Sequence, residues 1–392
     1  MVPPSLNLKD LGLTRNLVLV SFSVSLLVLG FNLSTSLLVL YLSQLGLDAF
    51  MVGLVVTIAR LAFALLTLPS GVIADKLGYR LPIVWSFSLC SVSLFLMYLV
   101  SNPILFSILV VLLWIGTAIY GPSVSSYVSK ASSKGKVALA FGWYYAFTMT
   151  SQVIGQTLSG IMAQSFGYKS LFIAGGALSF FSLVIVTYVV RKSNSSAKNN
   201  FILFTLDDFK KGLDFFIKNS SVRKLSIALS FHTIGFLTSY TFIPLVARLD
   251  QNFDDATIGL LLAIWSIGNA IFQIPFGRLS DRVGGKIILL SHVFLSSLIW
   301  WVYPFINSFF LAVIVMILQG VVGAMDMPAR RLIMQDVSEE NFATAVGVLD
   351  SFTMLAGSLG PFISGALWNY GHWVPFVFGS AINFISFLLL LL

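Results

Sequence analysis

Gly71-Val-Ile-Ala-Asp75-Lys76-Leu-Gly78-Tyr-Arg80 is a short polar turn set between two long apolar runs, and it occurs twice. The second copy, Gly277-Arg-Leu-Ser-Asp281-Arg282-Val-Gly284-Gly-Lys286, begins 206 positions later and again joins two apolar runs. Each copy has a glycine, an aspartate followed by a cation, a second glycine and a second cation. These residue types suit a tight connection between helices: Gly71 lets two backbones approach, Gly78 permits the reversal, and Asp75 suits the positive N-terminus of a neighbouring helix. Two copies at one offset predict a chain built from two related halves.

Hydrophobic residues make up 57% of the chain and charged residues 10%, and the mean hydropathy is +0.94, which places it among membrane proteins. Apolar runs of about 20 residues suit helices crossing a hydrocarbon core about 30 Å thick. Nothing in the sequence alternates as a barrel strand does. Cys90, the one cysteine, lies in an apolar run, which rules out an intrachain disulfide or a thiol metal cluster and leaves ordinary packing. The net charge of +8 is not a nucleic-acid footprint, because 20 of the 23 lysines and arginines fall in segments that one topology places on a single side. Arg60, Lys169 and Arg248 are the exceptions. The positive-inside rule then puts both termini in the cytoplasm; the expected location is the plasma membrane.

In chain order, residues 1–16 read as a cytoplasmic tail, followed by spans near 17–42, 50–73, 81–100, 104–128, 137–163 and 170–190. Residues 191–221 form a polar, cationic linker. Within it, Thr205-Leu-Asp-Asp208 has the form of a capping box, and Leu206, Phe209, Leu213 and Phe216 recur at helical spacing. Two readings stand open there: an amphipathic helix on the inner leaflet, or a linker helix packed on the protein. Six further spans follow near 222–247, 257–276, 287–306, 309–327, 342–367 and 374–392. The expected fold is an all-α membrane protein of twelve transmembrane helices in two six-helix bundles, 17–190 and 222–392. Both bundles start inside, so they form a parallel repeat about an axis along the membrane normal. Pro69 with Pro275, Pro122 with Pro328, and Gly155 with Gly360 fall at matching places in the two halves.

The paired turns, helix count, repeat and linker position together resemble the major facilitator superfamily, whose loop between helices two and three has the form G-x-x-x-D-[RK]-x-G-x-[RK]. The resemblance covers essentially the whole chain. It implies a monomeric secondary transporter working by alternating access, with spans one, four, seven and ten lining a cavity and two, five, eight and eleven forming the seam. It implies no enzyme activity and no cofactor. The likeness to the drug–proton antiporters of the superfamily is loose. Their helix-five motif G-x-x-x-G-P-x-x-G-G is met by Ser151-Gln-Val-Ile-Gly155-Gln156-Thr-Leu-Ser159-Gly160, with Gln156 in the proline position, and their helix-four arginine by Leu112. A closer match, Gly360-Pro361-Phe-Ile-Ser364-Gly365, sits in span eleven. After span ten, Asp336 with Arg282 or with Arg330 and Arg331 resembles the family's cytoplasmic charge lock, whereas the place after span four holds Lys130.

An ionisable group in hydrocarbon costs about 2.5 to 3.5 kcal/mol on insertion scales, so each one asks for a reason. Arg60 in span two and Asp350 in span eleven are expected to pair across the seam and to part when Asp350 takes a proton, or else to be a static pair or an arginine reaching into a wet cavity. Asp326 is expected on Arg330, one turn on. Asn32, Gln152, Gln156, His232 and Asn269 are the candidates for a substrate cavity, against the plainer reading of interhelical hydrogen bonds. The three histidines stand on separate spans without metal-ligand spacing, no metal is expected, and His292 on an outer helix reads as incidental. No nucleophile motif such as G-x-S-x-G occurs. The sequence thus predicts a secondary active transporter for a small solute, with proton-coupled efflux of an amphipathic or drug-like compound as the first reading. A proton-coupled importer or facilitator of a metabolite, or a non-transporting sensor on the same fold, is the alternative. Its expected partners are the solute, protons and the lipid bilayer, with no nucleic acid.

Overall fold

The structure, a computed structural model, describes residues 13–132, 136–191, 213–337 and 342–392, without the side chains of 68–69, 71–77, 138, 337 and 342–344. Every regular element among these residues is helical. The first half of the chain contains α1 (Arg15–Thr35), α2 (Leu38–Gln44), α3 (Ala49–Leu77), α4 (Arg80–Leu99), α5 (Pro103–Ala131), α6 (Val137–Phe166) and α7 (Lys169–Arg191). The second contains α8 (Ser220–Tyr240), α9 (Ile243–Leu249), α10 (Asp255–Val283), α11 (Gly285–Val302), α12 (Phe309–Gly323), α13 (Asp326–Val337), α14 (Phe342–Gly357), α15 (Gly360–Leu367) and α16 (Val374–Leu391). Two one-turn 3-10 segments, at Tyr303–Phe305 and Trp368–Tyr370, follow α11 and α15.

Among the described residues, eleven stretches are long and apolar enough to cross a membrane. The fifth expected span, α6, is not among them, and its run of Thr148, Thr150, Gln152 and Gln156 accounts for its lower hydropathy. Four expected spans are broken rather than continuous. Span one divides into α1 and α2, span seven into α8 and α9, span ten into α12 and α13, and span eleven into α14 and α15. In the first two, hydroxyls near the break bond back along the helix: Thr35 Oγ1 donates to Phe31 O at 2.7 Å, Ser36 Oγ to Asn32 O at 2.5 Å, and Thr241 Oγ1 to Leu237 O at 2.8 Å. Such bonds compete with the helical ladder and bend it.

The reversals expected at the paired turns are present. Gly78, between α3 and α4, has φ +78°, and Gly284, between α10 and α11, has φ +93°, both in the region that favours glycine. The side chains of Gly71, Asp75 and Lys76 lie outside the described residues, while Arg80, Asp281, Arg282 and Lys286 are exposed.

The described residues fall into two compact units, 13–36 with 65–191, and 37–64 with 213–392. Residues 37–64 therefore group with the second half of the chain. Glycines make this packing close: a Cβ on Gly53 would lie 2.3 Å from Pro361 O, and one on Gly365 2.4 Å from Ala49 O. The Phe362 amide donates to Thr57 Oγ1 at 2.9 Å across the same α3–α15 contact.

Each unit also repeats one helix crossing. In the first, α1 meets α7 where a Cβ on either Gly30 or Gly175 would lie 2.7 Å from the other's carbonyl oxygen. In the second, α8 meets α16 at Gly235 and Gly379, with the corresponding distances 2.3 and 2.6 Å. Ser34 Oγ donates to Gly30 O at 2.9 Å, and Ser239 Oγ to Gly235 O at 3.2 Å. Because the atom met is backbone, Gly235→Ala is expected to cost about 1 to 3 kcal/mol through overpacking. Gly121→Ala, where an added methyl meets nothing within 4 Å, is the control and should leave the thermal midpoint in detergent unchanged or slightly raised.

Residues 213–218 of the linker are helical, and Phe216 stacks on Phe352 of α14 with centroids 4.0 Å apart and planes 9° apart. This part of the linker packs on the second unit. Thr205 to Asp208, Leu206 and Phe209 lie outside the described residues, as does the tail before Leu13.

Candidate functional site

Four ionisable side chains meet inside the second unit. His232 comes from α8, His292 from α11, and Asp326 and Arg330 from the first turns of α13. The two rings meet edge-on, their planes 68° apart and their Nε2 atoms 3.0 Å apart, and both are buried. His292 Nδ1 lies 2.7 Å from Val322 O, and a carbonyl can only accept, so Nδ1 carries the proton. His292 Nε2 is then bare and accepts from the Nε2–H of His232. Asn383 of α16 lies beside His232. Asp326 Oδ1 stands 3.7 Å from His292 Nε2 and accepts from Arg330 Nε at 2.5 Å.

With neutral imidazoles this group carries one negative and one positive charge, and so none in sum. The remaining basic nitrogen is His232 Nδ1, buried without a hydrogen-bond partner among the described residues; an added proton goes there, and the charge it brings is shared with His292 through the Nε2–H···Nε2 bond, beside the Asp326 carboxylate. The two Nε2 atoms and an Asp326 oxygen also lie within 4.8 Å of one another, and a carbonyl behind a ring is how metal-binding histidines are oriented. Arg330, however, already neutralises Asp326, so a divalent cation would bring two uncompensated charges into a buried site, where a proton brings one. The arrangement suits a proton better than a metal.

From His232 an aromatic wall runs along α8 and across to its neighbours. Phe236 stacks near His232 at 6.4 Å and against Tyr240 at 5.3 Å, and Trp265 of α10 lies 5.1 Å from Tyr240. Trp300 of α11 meets Phe236 edge-on at 5.9 Å. The Trp265 indole N–H is buried without a hydrogen-bond partner among the described residues. Asn269, one turn along α10, sits at the α10–α12 crossing, its amide nitrogen 2.9 Å from where a Cβ on Gly323 would stand. Arg60, from α3, is close enough to Tyr240 for the two to interact electrostatically.

Several sequence expectations change. Asp350 is held by Arg331, with Nη2 2.8 Å from Oδ2, and the anticipated pair with Arg60 is replaced by this one. Arg331 extends from α13 to α14 within one unit, which makes it the local partner. Arg330 takes Asp326, as the one-turn spacing predicts. With both arginines so engaged, neither forms the anticipated lock with Asp336, which is exposed. His292 is not incidental, being the centre of the buried cluster. Spacing could not reveal this, because its partners stand 60 and 34 residues away on other helices; the available signal was the cost of a buried imidazole in an apolar helix.

In the first unit, Gly155 brings α6 onto α1, and a Cβ there would lie 3.0 Å from Asn32 Cβ. Gln152 and Gln156 flank this glycine, so Asn32, Gln152 and Gln156 gather at one crossing. The Asn32 amide donates to Val28 O at 2.8 Å, and Gln156 is buried. Cys90 packs against Gly116 and Leu113 O, as expected of a structural thiol.

A family model described as Major Facilitator Superfamily matches residues 20–253 and 225–392. The quinolone resistance protein NorA of Staphylococcus aureus is 24% identical over 388 residues, covering 97% of each chain. Among solved structures, the nucleoside transporter NupG superimposes with TM-score 0.79 at 18% identity over 98% of this chain and 99% of its own. A bacterial homologue of the lysosomal transporter Spinster, inward-facing and occupied, gives 0.80 at 15% identity over 96% and 95%.

Proposed function

The chain belongs to the major facilitator superfamily of transporters, and on that premise we propose that it exports an amphipathic or drug-like compound in exchange for protons. The observation that carries this reading is the buried His232–His292 pair beside Asp326 and Arg330, which can take up and release one proton without a metal or a second acid. The full-length likeness to a quinolone resistance protein supports the choice of solute class. So does the wall of Phe236, Tyr240 and Trp265, whose faces suit a flat apolar body and whose unpartnered indole N–H suits one acceptor on it.

In this reading the proton and the solute use adjoining parts of α8. Protonation adds a positive charge within one turn of Phe236, weakening the hold on a lipophilic cation and favouring exchange. The parallel six-helix repeat supplies alternating access. Arg60 and Asp350 serve as gating groups, Asp350 through its pair with Arg331 and Arg60 beside Tyr240. Asp350→Asn is therefore expected to slow transport severalfold and to keep its dependence on the pH gradient. Loss of that dependence would place the coupling at Asp350 instead.

Reconstituted liposomes loaded with a fluorescent lipophilic cation test the function directly. An imposed pH gradient should drive its movement, and a protonophore should stop it. Movement indifferent to the gradient would leave a facilitator, and binding without movement a sensor.

A further inference from the structure

On the second unit, the lysine-bearing end opens into a groove along α11 and α16. Its first part is a cavity of about 260 Å³ bordered by Ser221 and Lys224 at the start of α8 and by Lys286 at the start of α11, with Leu289 and Leu390 among its apolar residues. Leu290 also lines a second cavity, of about 320 Å³, together with Ile287, Ser291, Phe294, Phe387 and Leu391. Apart from Ser291 the second cavity is lined by apolar side chains, and the Phe294 and Phe387 rings stand 5.2 Å apart across it. Lys224 and Lys286 are exposed, and neither forms an ion pair among the described residues.

On α11, Lys286, Leu290 and Phe294 fall on one face at spacings of four residues. From Lys286 to Phe294 the helix rises about 12 Å, close to the roughly 15 Å depth of one leaflet of hydrocarbon. Two cations at one end of an apolar trough of that length match one kind of molecule. We infer that this groove binds an anionic phospholipid, its phosphate between Lys224 and Lys286 and an acyl chain against Phe294 and Phe387. A second copy of the chain fits poorly, since the corresponding end of that copy carries the same lysines and like charges would meet. A free phosphate would leave the apolar part of the groove unused.

Native mass spectrometry of the full chain tests this in micelles doped with phosphatidylglycerol or with phosphatidylcholine of the same acyl chains. The wild type should retain phosphatidylglycerol in preference, by about fivefold for each lysine at the surface. Lys224→Gln with Lys286→Gln should bring the two lipids to parity. Ser291→Trp, which fills the trough and leaves the lysines in place, should lower retention of both. Equal retention by the wild type, or an undiminished preference in the double variant, overturns the site. Displacement of the lipid by excess inorganic phosphate would reduce it to an anion site and overturn the lipid assignment.

Discussion

Arg330→Met is expected to destabilise the protein by about 3 kcal/mol, while Asp326→Leu combined with Arg330→Met recovers most of that loss. The argument rests on what each change leaves behind. Removing Arg330 alone strands the Asp326 carboxylate among two neutral imidazoles and apolar helices, and an uncompensated buried charge is the costly state. Removing both partners leaves an apolar contact of similar volume, which in comparable sites is neutral or better. Asp326 keeps 25% of its side-chain exposure, so the low end of the usual 3 to 5 kcal/mol applies. Reversible unfolding in detergent, or the shift in thermal midpoint of the three variants side by side, checks it. Equal losses for the single and double variants would mean that the pair contributes packing and no electrostatic balance.

The same cluster shows where the sequence stopped being legible. The paired turns and the apolar spans are local patterns, carried by runs of apolar residues and by Gly78 and Gly284 with their positive φ. Composition and spacing reveal such features directly. The Asp326–Arg330 pair was legible for the same reason, being one helical turn apart. His232 and His292 belong together only because α8 and α11 are neighbours in the second unit, and no periodicity in either helix encodes that contact. Asp350 illustrates the converse: the sequence identified a charge that needs a partner, but several cations were within reach and only the packing of α13 on α14 selects Arg331. The grouping of residues 37–64 with the second unit was likewise hidden. It depends on Gly53 and Gly365 admitting backbone to backbone contact, a property that glycine permits and does not demand.

His292→Gln and His232→Gln should each lower transport driven by a pH gradient at least tenfold while leaving exchange of solute for solute within about twofold, as expected for groups whose role is general proton transfer. Glutamine is the appropriate replacement because its amide can still donate to Val322 O from position 292, so the helix packing and the contact to α12 survive. What it loses is the ability to hold a proton at any accessible pH. In the proposed cycle solute exchange uses the wall of Phe236, Tyr240 and Trp265 and the movement of the helices, neither of which consumes a proton. Net transport against a gradient needs a site whose charge changes once per cycle, and in the proposed cycle the His232–His292 pair, with Nε2 atoms 3.0 Å apart, is that site. Counterflow and gradient-driven flux in the same liposomes separate the two. Parallel loss of both activities would make the histidines structural. Retention of both would move the coupling elsewhere, with Asp350 and Arg60 as the next groups to replace.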